Sequence, residues 1–317
     1  MLDQLLFLTA GLVVIYFGGR WIVRGGTQLA LALGVEPIVV GLTVVAYGTS
    51  VPELFLGIFA GYEGANRISF GNIIGSSISN ATYIIGACAV MVPIVIRFMS
   101  IRLESIFMIY AVAFLALLAI DGRVTPIDGL LLIATFIVGV AYMLNHQRRV
   151  GCPSCVKEEY RDALEDGGTV WASVARLTVG IGMLAIGAQV AVSGASNLAM
   201  QAGISPFLVG LTIVSFGTCL PELTISIIAA RKGETDLAIG NAVGSVTFTV
   251  LVVAGAASLF GGYAVPGNLF LIGLVPLIIF SVILILLIWR KVSISRKEGL
   301  LLIGLYLAYF IISASSL

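Results

Sequence analysis

Long apolar stretches recur along the chain and restrict its possible folds more than any other feature. A helix needs about 20 apolar residues to cross the hydrocarbon core of a bilayer. Only helices and closed barrels satisfy their backbone polar groups there, and stretches of this length favour helices. With a mean hydropathy of +1.12 and only 10% charged residues, the chain is predicted to be an all-α membrane protein with ten transmembrane helices. The predicted spans are 4–32, 36–60, 68–98, 102–120, 126–145, 170–201, 205–229, 236–260, 268–289 and 297–315.

Positively charged residues fall almost entirely on one side of these spans. That side receives Arg97, Arg102, Arg148, Arg149, Lys157, Arg161, Arg231, Lys232, Arg290, Lys291, Arg296 and Lys297, whereas the other receives Arg67 and Arg123. Because positive residues favour the cytoplasmic side, we expect a multi-pass protein of the cell membrane, plasma or inner. Both termini are predicted to lie outside, and the loop 146–169 in the cytoplasm. The net charge of +1 indicates no nucleic-acid partner. The lipid bilayer is the expected surrounding, and no protein partner is evident.

The chain contains an internal duplication. Residues 35–54, VEPIVVGLTVVAYGTSVPEL, match residues 204–223, ISPFLVGLTIVSFGTCLPEL, at an offset of 169, with eleven of twenty positions identical. The same offset aligns GNIIGS at 71–76 with GNAVGS at 240–245. We therefore divide the chain into a first five-helix repeat (1–145), a loop (146–169) and a second five-helix repeat (170–317). Since five is odd, the second repeat enters the membrane in the opposite orientation, which is the inverted-repeat architecture of secondary transporters.

Each copy carries a proline followed by a glutamate inside a predicted span. Pro52 cannot donate a hydrogen bond to the carbonyl of Gly48, and Pro221 stands in the same relation to Gly217. Carbonyl groups freed in this way are tolerated in a bilayer only where protein or a water-filled cavity satisfies them, and a bound cation is an alternative partner. We therefore predict helices that are broken at an ion site.

Two further spans carry polar residues about four positions apart. They are Asn72, Ser76 and Asn80 in the third span, and Asn241, Ser245 and Thr249 in the eighth. Carboxylate, hydroxyl and amide oxygens without a histidine or thiolate cluster indicate a site for hard cations such as Ca²⁺ or Na⁺. A charge at the bilayer centre costs at least about 2.5–3.5 kcal/mol, so a divalent cation between Glu53 and Glu222 would offset both charges. Protons are expected to compete for the same glutamates.

The segments GLTVVAYGTSVPEL with GNIIGSSISN, repeated as GLTIVSFGTCLPEL with GNAVGSVTFT, resemble the two α-repeats of the sodium/calcium exchanger family, prokaryotic ten-helix type, within the cation/calcium antiporter superfamily. The resemblance implies a secondary antiporter rather than an enzyme. It would exchange Na⁺ for Ca²⁺ by alternating access and need no cofactor besides the transported ions. By the same resemblance, Glu53 and Glu222 hold Ca²⁺ together with the carbonyl groups of Thr49 and Thr218.

The resemblance further implies Na⁺ sites on either side of that centre. They would use the carbonyl groups of Ala46 and Ser215, the same glutamates, and hydroxyl groups from both repeats. The full set of candidate ion-binding residues is Glu53, Glu222, Thr49, Thr218, Ser50, Ser76, Asn80, Ala46, Ser215, Cys219, Ser245 and Thr249. The first and sixth spans, which are long and rich in small residues, are our candidates for the helices that move during transport.

The second copy departs from the family pattern at two positions. Cys219 stands where the first copy has Ser50, and a thiol is a poorer ligand for hard cations than a hydroxyl. Thr249 stands where relatives commonly carry an aspartate, so the central acids number two rather than three. A Ca²⁺/H⁺ or other cation/proton antiporter is therefore the alternative function.

Other classes of protein explain the pattern less well. An intramembrane aspartyl protease also has two acids in neighbouring spans but does not require inverted repeats, and a channel needs a continuous polar lining. The glutamates could instead form structural ion pairs, for which Arg20 and Arg24 are possible partners. Asn72 and Asn241 could cap or bridge helices rather than bind ions.

Overall fold

The computed structural model describes residues 2–32, 46–96, 99–150, 170–231, 233, 235–290 and 293–316, and these ranges are mostly helical, as predicted. The helices are α1 (Leu2–Ala32), α2 (Ala46–Thr49), α3 (Val51–Tyr62), α4 (Asn66–Met91), α5 (Met99–Leu118), α6 (Pro126–Val150), α7 (Val170–Ala202), α8 (Pro206–Thr218), α9 (Leu220–Arg231), α10 (from Thr235 to Ser258), α11 (Gly267–Arg290) and α12 (Arg296–Ser316). The strands are β1 (Ile94–Val95), β2 (Arg123–Val124), β3 (Tyr263–Ala264) and β4 (Ser293–Ile294).

The described helices account for a multi-pass membrane protein. Eight of those in the described ranges are long and apolar enough to cross a bilayer, and α8 with α9 makes a ninth if the bent pair counts as one span. The second predicted span falls partly on residues 33–45, which lie outside the described residues, and its described part comprises α2 and α3. The count of ten therefore stays a prediction.

Burial separates a central pair of helices from the rest. The apolar windows of α4 and α10 are each 83% buried, whereas that of α6 is only 11% buried. An apolar helix that is exposed all along one side faces lipid in a membrane protein, because lipid tails are as apolar as its side chains. The two central helices are also the two that carry the predicted polar stripes.

The third helix ends earlier than the sequence predicts. The predicted span runs to residue 98, but α4 ends at Met91 and Val92 is already extended, with φ −138° and ψ 122°. Pro93 explains the difference, because proline disfavours helical backbone at the preceding residue and lacks an N–H group of its own. The chain then forms β1 instead of continuing as a helix.

Two short antiparallel strand pairs join the halves of the chain. β1 pairs with β4, with Ile94 opposite Ile294, and β2 pairs with β3, with Val124 opposite Tyr263. β3 begins 169 positions after β1, and β4 begins 170 positions after β2. The two pairs are therefore two copies of one contact, related by the sequence duplication.

Helices α1 and α7 pack against each other in opposite directions, and glycines line the contact. Glycines recur every seven residues in both helices, at Gly11, Gly18 and Gly25 in α1 and at Gly180, Gly187 and Gly194 in α7. A Cβ atom added at Gly11 would lie 2.5 Å from the backbone nitrogen of Ala191, and one added at Gly194 would lie 2.6 Å from that of Leu8. Only glycine allows the two backbones to approach so closely.

Candidate functional site

Both predicted helix breaks are present. Ser50 interrupts the helix between α2 and α3, and Cys219 interrupts it between α8 and α9, where the axis bends by 45°. The two residues have nearly the same backbone conformation, with φ −89° and ψ 6° at Ser50 and φ −78° and ψ 0° at Cys219. Pro52 and Pro221 each lie in the first turn of the helix that follows, where the missing N–H group is tolerated.

One residue of helix α1, Gly19, lies close to the prolines at both breaks. A Cβ atom added at Gly19 would lie 3.3 Å from Cγ of Pro52 and 4.0 Å from Cγ of Pro221. The two prolines therefore come from different halves of the chain to adjacent places against the same helix. This brings the glutamates that follow them into one region of the interior.

The two glutamates are buried and each contacts the break residue of the other half. Glu53 is 1% exposed and Glu222 is fully buried. Ser50 Oγ donates a hydrogen bond of 2.9 Å to Glu222 Oε1, and Cys219 Sγ lies 3.7 Å from Glu53 Oε1. The contacts are equivalent under the duplication, but the thiol is the weaker donor and is more distant.

A second pair of equivalent contacts joins each break to a central helix. Thr49 Oγ1 lies 3.4 Å from Asn241 Oδ1, and Thr218 Oγ1 lies 3.2 Å from Asn72 Oδ1. The Nδ2 group of Asn241 also donates to the backbone carbonyl of Glu222 at 3.3 Å. The bridging role that the sequence left open for the two asparagines is therefore present, with the threonines as their partners.

Several buried oxygen atoms around the glutamates have no hydrogen-bond partner within the described ranges. They are Glu53 Oε2, Glu222 Oε2, Asn80 Oδ1 and Thr249 Oγ1. Leaving such atoms unsatisfied costs about 1–3 kcal/mol each, and more for a charged group. The donor set consists of carboxylate, amide and hydroxyl oxygens, which fits a hard cation such as Na⁺ or Ca²⁺.

The remaining candidates differ in their contacts. Ser76 Oγ donates to the carbonyl of Asn72 at 2.7 Å, and Ser215 Oγ donates to that of Leu211 at 2.5 Å, so both hydroxyl oxygens keep lone pairs available. Asn80 Nδ2 donates to the carbonyl of Ser76 at 3.0 Å. Ser245 is also fully buried. Ala46 begins α2, and its side chain lies outside the part of the chain that the structure describes.

The π-helical turns of α4 and α10 fall at equivalent positions. Asn80–Ile84 and Thr249–Val253 are each wound as a π-helix, and they are separated by the offset of 169. Such turns inside α-helices are frequent at functional sites. Each begins at a candidate ligand, Asn80 or Thr249, whose side chain carries one of the unpaired oxygens.

The glutamates do not form structural ion pairs within the described part of the chain. The single ion pair found there joins Arg123 to Asp121, with a separation of 3.7 Å, far from either glutamate in sequence. Arg20 instead lies 5.8 Å from the ring centre of Tyr16. The ion-pair interpretation of the glutamates thus has no support from these residues.

One polar residue of the site was absent from the predicted set. Ser226 is fully buried, and its Oγ accepts a hydrogen bond of 2.9 Å from Asn241 Nδ2. Its position four residues after Glu222, on the same helical face, was the available signal. The equivalent residue of the first copy is Gly57, so comparison of the repeats gave no indication of it.

Comparisons with known proteins agree on one family. The profile of the family described as "Sodium/calcium exchanger protein" matches residues 4–145 and again residues 172–314. The putative antiporter CaxA of Alkalimonas amylolytica is 33% identical over 82% of this chain and 81% of its own length. The sodium/calcium exchanger MaX1 of Methanosarcina acetivorans is 27% identical over 97% of each chain.

A solved structure extends the similarity to the fold. The sodium-calcium exchanger NCX_Mj, soaked with 2.5 mM Na⁺ and 0.1 mM Ca²⁺, superimposes with a TM-score of 0.68 at 29% sequence identity. The match covers 98% of both chains. The similarity thus includes both halves of the molecule and the helices that surround the buried glutamates.

Proposed function

The chain belongs to the sodium/calcium exchanger protein family, and on that premise we propose that it is a secondary antiporter that exchanges Na⁺ for Ca²⁺. The family membership and the multi-pass fold support cation/calcium antiport in general. The more specific proposal is that the ions bind between Glu53 and Glu222 and that access alternates between the two sides of the membrane. It is not an enzyme on this view, and its partners are small inorganic cations and lipid.

The observation that carries the proposal is the crossed contact of the two glutamates. Ser50 bonds to Glu222 at 2.9 Å while Cys219 contacts Glu53 at 3.7 Å, so residues adjacent to both acids meet in one place. Each acid keeps a buried oxygen without a hydrogen bond within the described ranges. Two carboxylates buried in one region of a membrane interior are stabilised by a positive partner, and a transported cation supplies one.

We assign Ca²⁺ to the centre and Na⁺ to its flanks. In the central site Ca²⁺ would bind the carboxylates of Glu53 and Glu222 and the carbonyl oxygens of Thr49 and Thr218. Na⁺ would use the same glutamates with carbonyl and hydroxyl oxygens on either side, drawn from Ala46, Ser50, Ser76, Asn80, Ser215, Cys219, Ser245 and Thr249. Overlapping ligands make the two ions compete, and competition is what an exchanger requires.

The strand pairs support the inverted arrangement of the halves. Hydrogen-bonded strands lie on the same side of the membrane, and α5 alone connects β1 to β2, so the β1–β4 pair and the β2–β3 pair lie on opposite sides. β1 and β3 occupy equivalent positions in the duplication, and they are therefore on opposite sides. This relation favours two five-helix repeats of opposite orientation, with both termini on one side.

The charge distribution indicates which side is cytoplasmic. Arg290 and Arg296 flank β4, and Arg231 ends the helix that precedes Thr235, whose hydroxyl bonds to the β1 backbone. By the positive-inside rule the β1–β4 face is the cytoplasmic one. Both termini would then lie outside the cell, and the loop 146–169 inside.

Alternating access needs a part of the molecule that moves over the ion site. The close glycine contact makes α1 and α7 one packed unit, and Gly19 of α1 lies against both prolines at the breaks. We propose that this unit shifts relative to the other helices once the charge of the glutamates is neutralised by bound ions. The shift would open the site to one side and close it to the other.

Transport by the purified protein tests the proposal. Protein in liposomes loaded with Na⁺ should take up Ca²⁺ along the Na⁺ gradient, and Glu53→Gln and Glu222→Gln should each reduce the uptake to background. Glu63→Gln is the matched control, because Glu63 is exposed in the turn after α3 and lies outside the site. Exchange at the wild-type rate in either site variant, with the control also active, would refute the ion site.

Cation/proton exchange is the second candidate function, because the second copy provides the thiol of Cys219 and the neutral hydroxyl of Thr249 where the family pattern has a hydroxyl and a carboxylate. Thr249 Oγ1 has no hydrogen bond within the described ranges, and no third carboxylate accompanies the pair there. Ca²⁺ uptake driven by a pH gradient in the absence of Na⁺ would favour this alternative. Thr249→Asp supplies the third acid, and it should change the ratio of Na⁺ or H⁺ moved per Ca²⁺.

A further inference from the structure

A small cavity lies beside the ion site and is lined by an acid that the exchange mechanism does not use. Its walls are formed by Tyr47, Glu104, Phe107, Met143, Gly240, Gly244 and Thr247. The space admits a water-sized sphere and little more, which is also the size of a bare cation. Gly240, Gly244 and Thr247 follow one face of α10, adjacent to the face that carries Asn241 and Ser245.

The cavity lies toward the β1–β4 face of the molecule. Thr235 at the start of α10 bonds to the backbone of Val95 in β1, and Gly240 follows it after about one and a half helical turns. Glu104 lies five residues into α5, which also begins on that face, or about 8 Å along the helix axis. The cavity is thus between the proposed cytoplasmic surface and the depth of the central glutamates.

The carboxylate of Glu104 has no partner of its own within the described ranges. No hydrogen bond or ion pair to it is present there, although the residue is only partly exposed and lies within an apolar span. A carboxylate in this setting is costly unless a positive group or a water-filled space receives it. The neighbouring oxygens are Tyr47 Oη and Thr247 Oγ1, and the latter donates to the carbonyl of Val243 at 2.9 Å, so its lone pairs remain available.

Three aromatic rings form a cluster beside the cavity. Tyr47, Phe136 and Phe248 contact one another, with ring centres 5.1 to 5.6 Å apart. Tyr47 is two residues before Thr49, and Phe248 immediately precedes Thr249, so the cluster adjoins the central site as well as the cavity.

The other half of the molecule has no equivalent of this acid. The residue 169 positions after Glu104 is Gly273, and a Cβ atom added there would lie 3.3 Å from Ile74 and 3.5 Å from Phe207. The equivalent of Tyr47 is Phe216, which is 45% exposed and has no hydroxyl group. The duplication therefore places a partly buried acid beside a phenol in one half alone.

We propose that this cavity is an accessory cation site on the cytoplasmic side of the aromatic cluster. Glu104 supplies the charged ligand, and Tyr47 and Thr247 supply hydroxyl oxygens, a set that suits the same hard cations as the central site. A cation held there lies next to the aromatic cluster that adjoins Thr49 and Thr249, and it raises the local cation concentration at that face. The identity of the bound ion rests on the proposed function. Binding of a cation at Glu104 can be tested separately.

Transport measured from each face tests the accessory site. In membrane vesicles of either orientation, Glu104→Gln should raise the apparent KM for Ca²⁺ at the β1–β4 face by about tenfold at low ionic strength, because a carboxylate near an entrance concentrates cations. The KM at the opposite face and the maximal rate should not change. Glu104→Asp keeps the charge and should retain most of the wild-type KM. Equal KM values for Glu104→Gln and wild type at the β1–β4 face would overturn the proposal.

Direct binding distinguishes this inference from the exchange function. Tb³⁺ substitutes for Ca²⁺ and is excited through nearby tyrosine, so a Glu53→Gln, Glu222→Gln double variant should still show Tb³⁺ luminescence from the cavity beside Tyr47. Adding Glu104→Gln should remove most of that signal, whereas adding Glu63→Gln should not. Luminescence unaffected by Glu104→Gln would refute the accessory site. Wild-type protein that binds Tb³⁺ at Glu104 but exchanges no Ca²⁺ would refute only the proposed function.

Discussion

At the scale of single residues, the two break positions give the duplicated site unequal halves. Ser50 donates a hydrogen bond to one glutamate, while Cys219 lies 3.7 Å from the other and also contacts the carbonyl of Ser76 at 3.9 Å. Sulfur is larger and softer than oxygen, and it is a weak hydrogen-bond donor. The unequal pair is therefore expected to hold a hard cation more loosely at Glu53 than at Glu222.

Restoring the hydroxyl at the second break should tighten the site. We expect Cys219→Ser to lower the apparent KM for Na⁺ by about fivefold, equivalent to about 1 kcal/mol, because a charged group gains a better oxygen partner. Na⁺-dependent Ca²⁺ uptake in liposomes measures the change, with Cys88→Ser as the control because Cys88 is buried in the apolar core. A KM at or above the wild-type value would contradict this prediction.

The two bridging asparagines should differ in their contribution to stability. Asn241 Nδ2 donates to the carbonyl of Glu222 and to Ser226, whereas Asn72 Nδ2 has no partner within the described ranges. Asn241→Ala should therefore lower the free energy of unfolding by about 1–3 kcal/mol, since it removes two buried hydrogen bonds, and Asn72→Ala should lower it less. Thermal unfolding in detergent measures both, and equal losses would show that the extra bonds contribute nothing.

Most residues of the candidate site could be proposed from the sequence because the duplication repeats them in both halves. Glu53 and Glu222, with the prolines before them, stand out as paired exceptions within apolar sequence. Ser226 and Glu104 have glycine at the equivalent position of the other copy, so repetition gave no signal for either. Contacts between distant segments, such as Asn241 with Ser226, arise from tertiary packing that residue spacing alone does not specify.

At the scale of elements, the close packing of α1 on α7 depends on the absence of side chains at specific positions. Gly194→Ala would place a Cβ atom 2.6 Å from the backbone nitrogen of Leu8, and one of the helices would have to shift. We expect a loss of about 1–3 kcal/mol in stability, as for overpacked interiors, together with slower exchange. Thermal unfolding and the initial rate of Ca²⁺ uptake measure the two effects.

Gly182 in the same helix is the matched control for this prediction. A Cβ atom added at Gly182 would have no neighbour within 4 Å, so Gly182→Ala should leave exchange unchanged and slightly favour the helix. If both alanine variants behave alike, the contact between the helices is not what limits stability or transport.

Helix positions were largely predictable, and the exceptions have local causes. The predicted spans 170–201 and 126–145 correspond to α7 and α6, because long apolar runs leave few alternatives in a bilayer. The end of α4 was misplaced because Pro93 stops the helix inside an apolar run that hydropathy alone continues. The strands were not predicted, since two-residue strands have no periodicity to detect and depend on a partner far along the chain.

At the scale of the whole molecule, each strand pair ties one half of the chain to the other at a membrane face. β1 follows α4 and β4 precedes α12, so this pair belongs to the helices around the site and not to α1 or α7. If transport moves the α1–α7 unit over the others, the strand pair can stay fixed during the cycle.

A cross-link between strands tests that division of the molecule. Val95 and Ser293 are register partners and both are partly exposed, so a Val95→Cys, Ser293→Cys variant in a Cys152→Ser, Cys155→Ser background should oxidise to a disulfide. We expect the oxidised protein to retain most of its exchange rate. Uptake that is lost on oxidation and recovered on reduction would show that the strands move apart during transport.

The crossed contacts have a consequence for how such a sequence can change over generations. Each glutamate contacts the break residue of the opposite copy: Glu222 contacts Ser50, and Glu53 contacts Cys219. A substitution in one copy therefore alters the surroundings of the acid encoded in the other. Although the two copies have separate codons, they are not free to diverge independently where they meet.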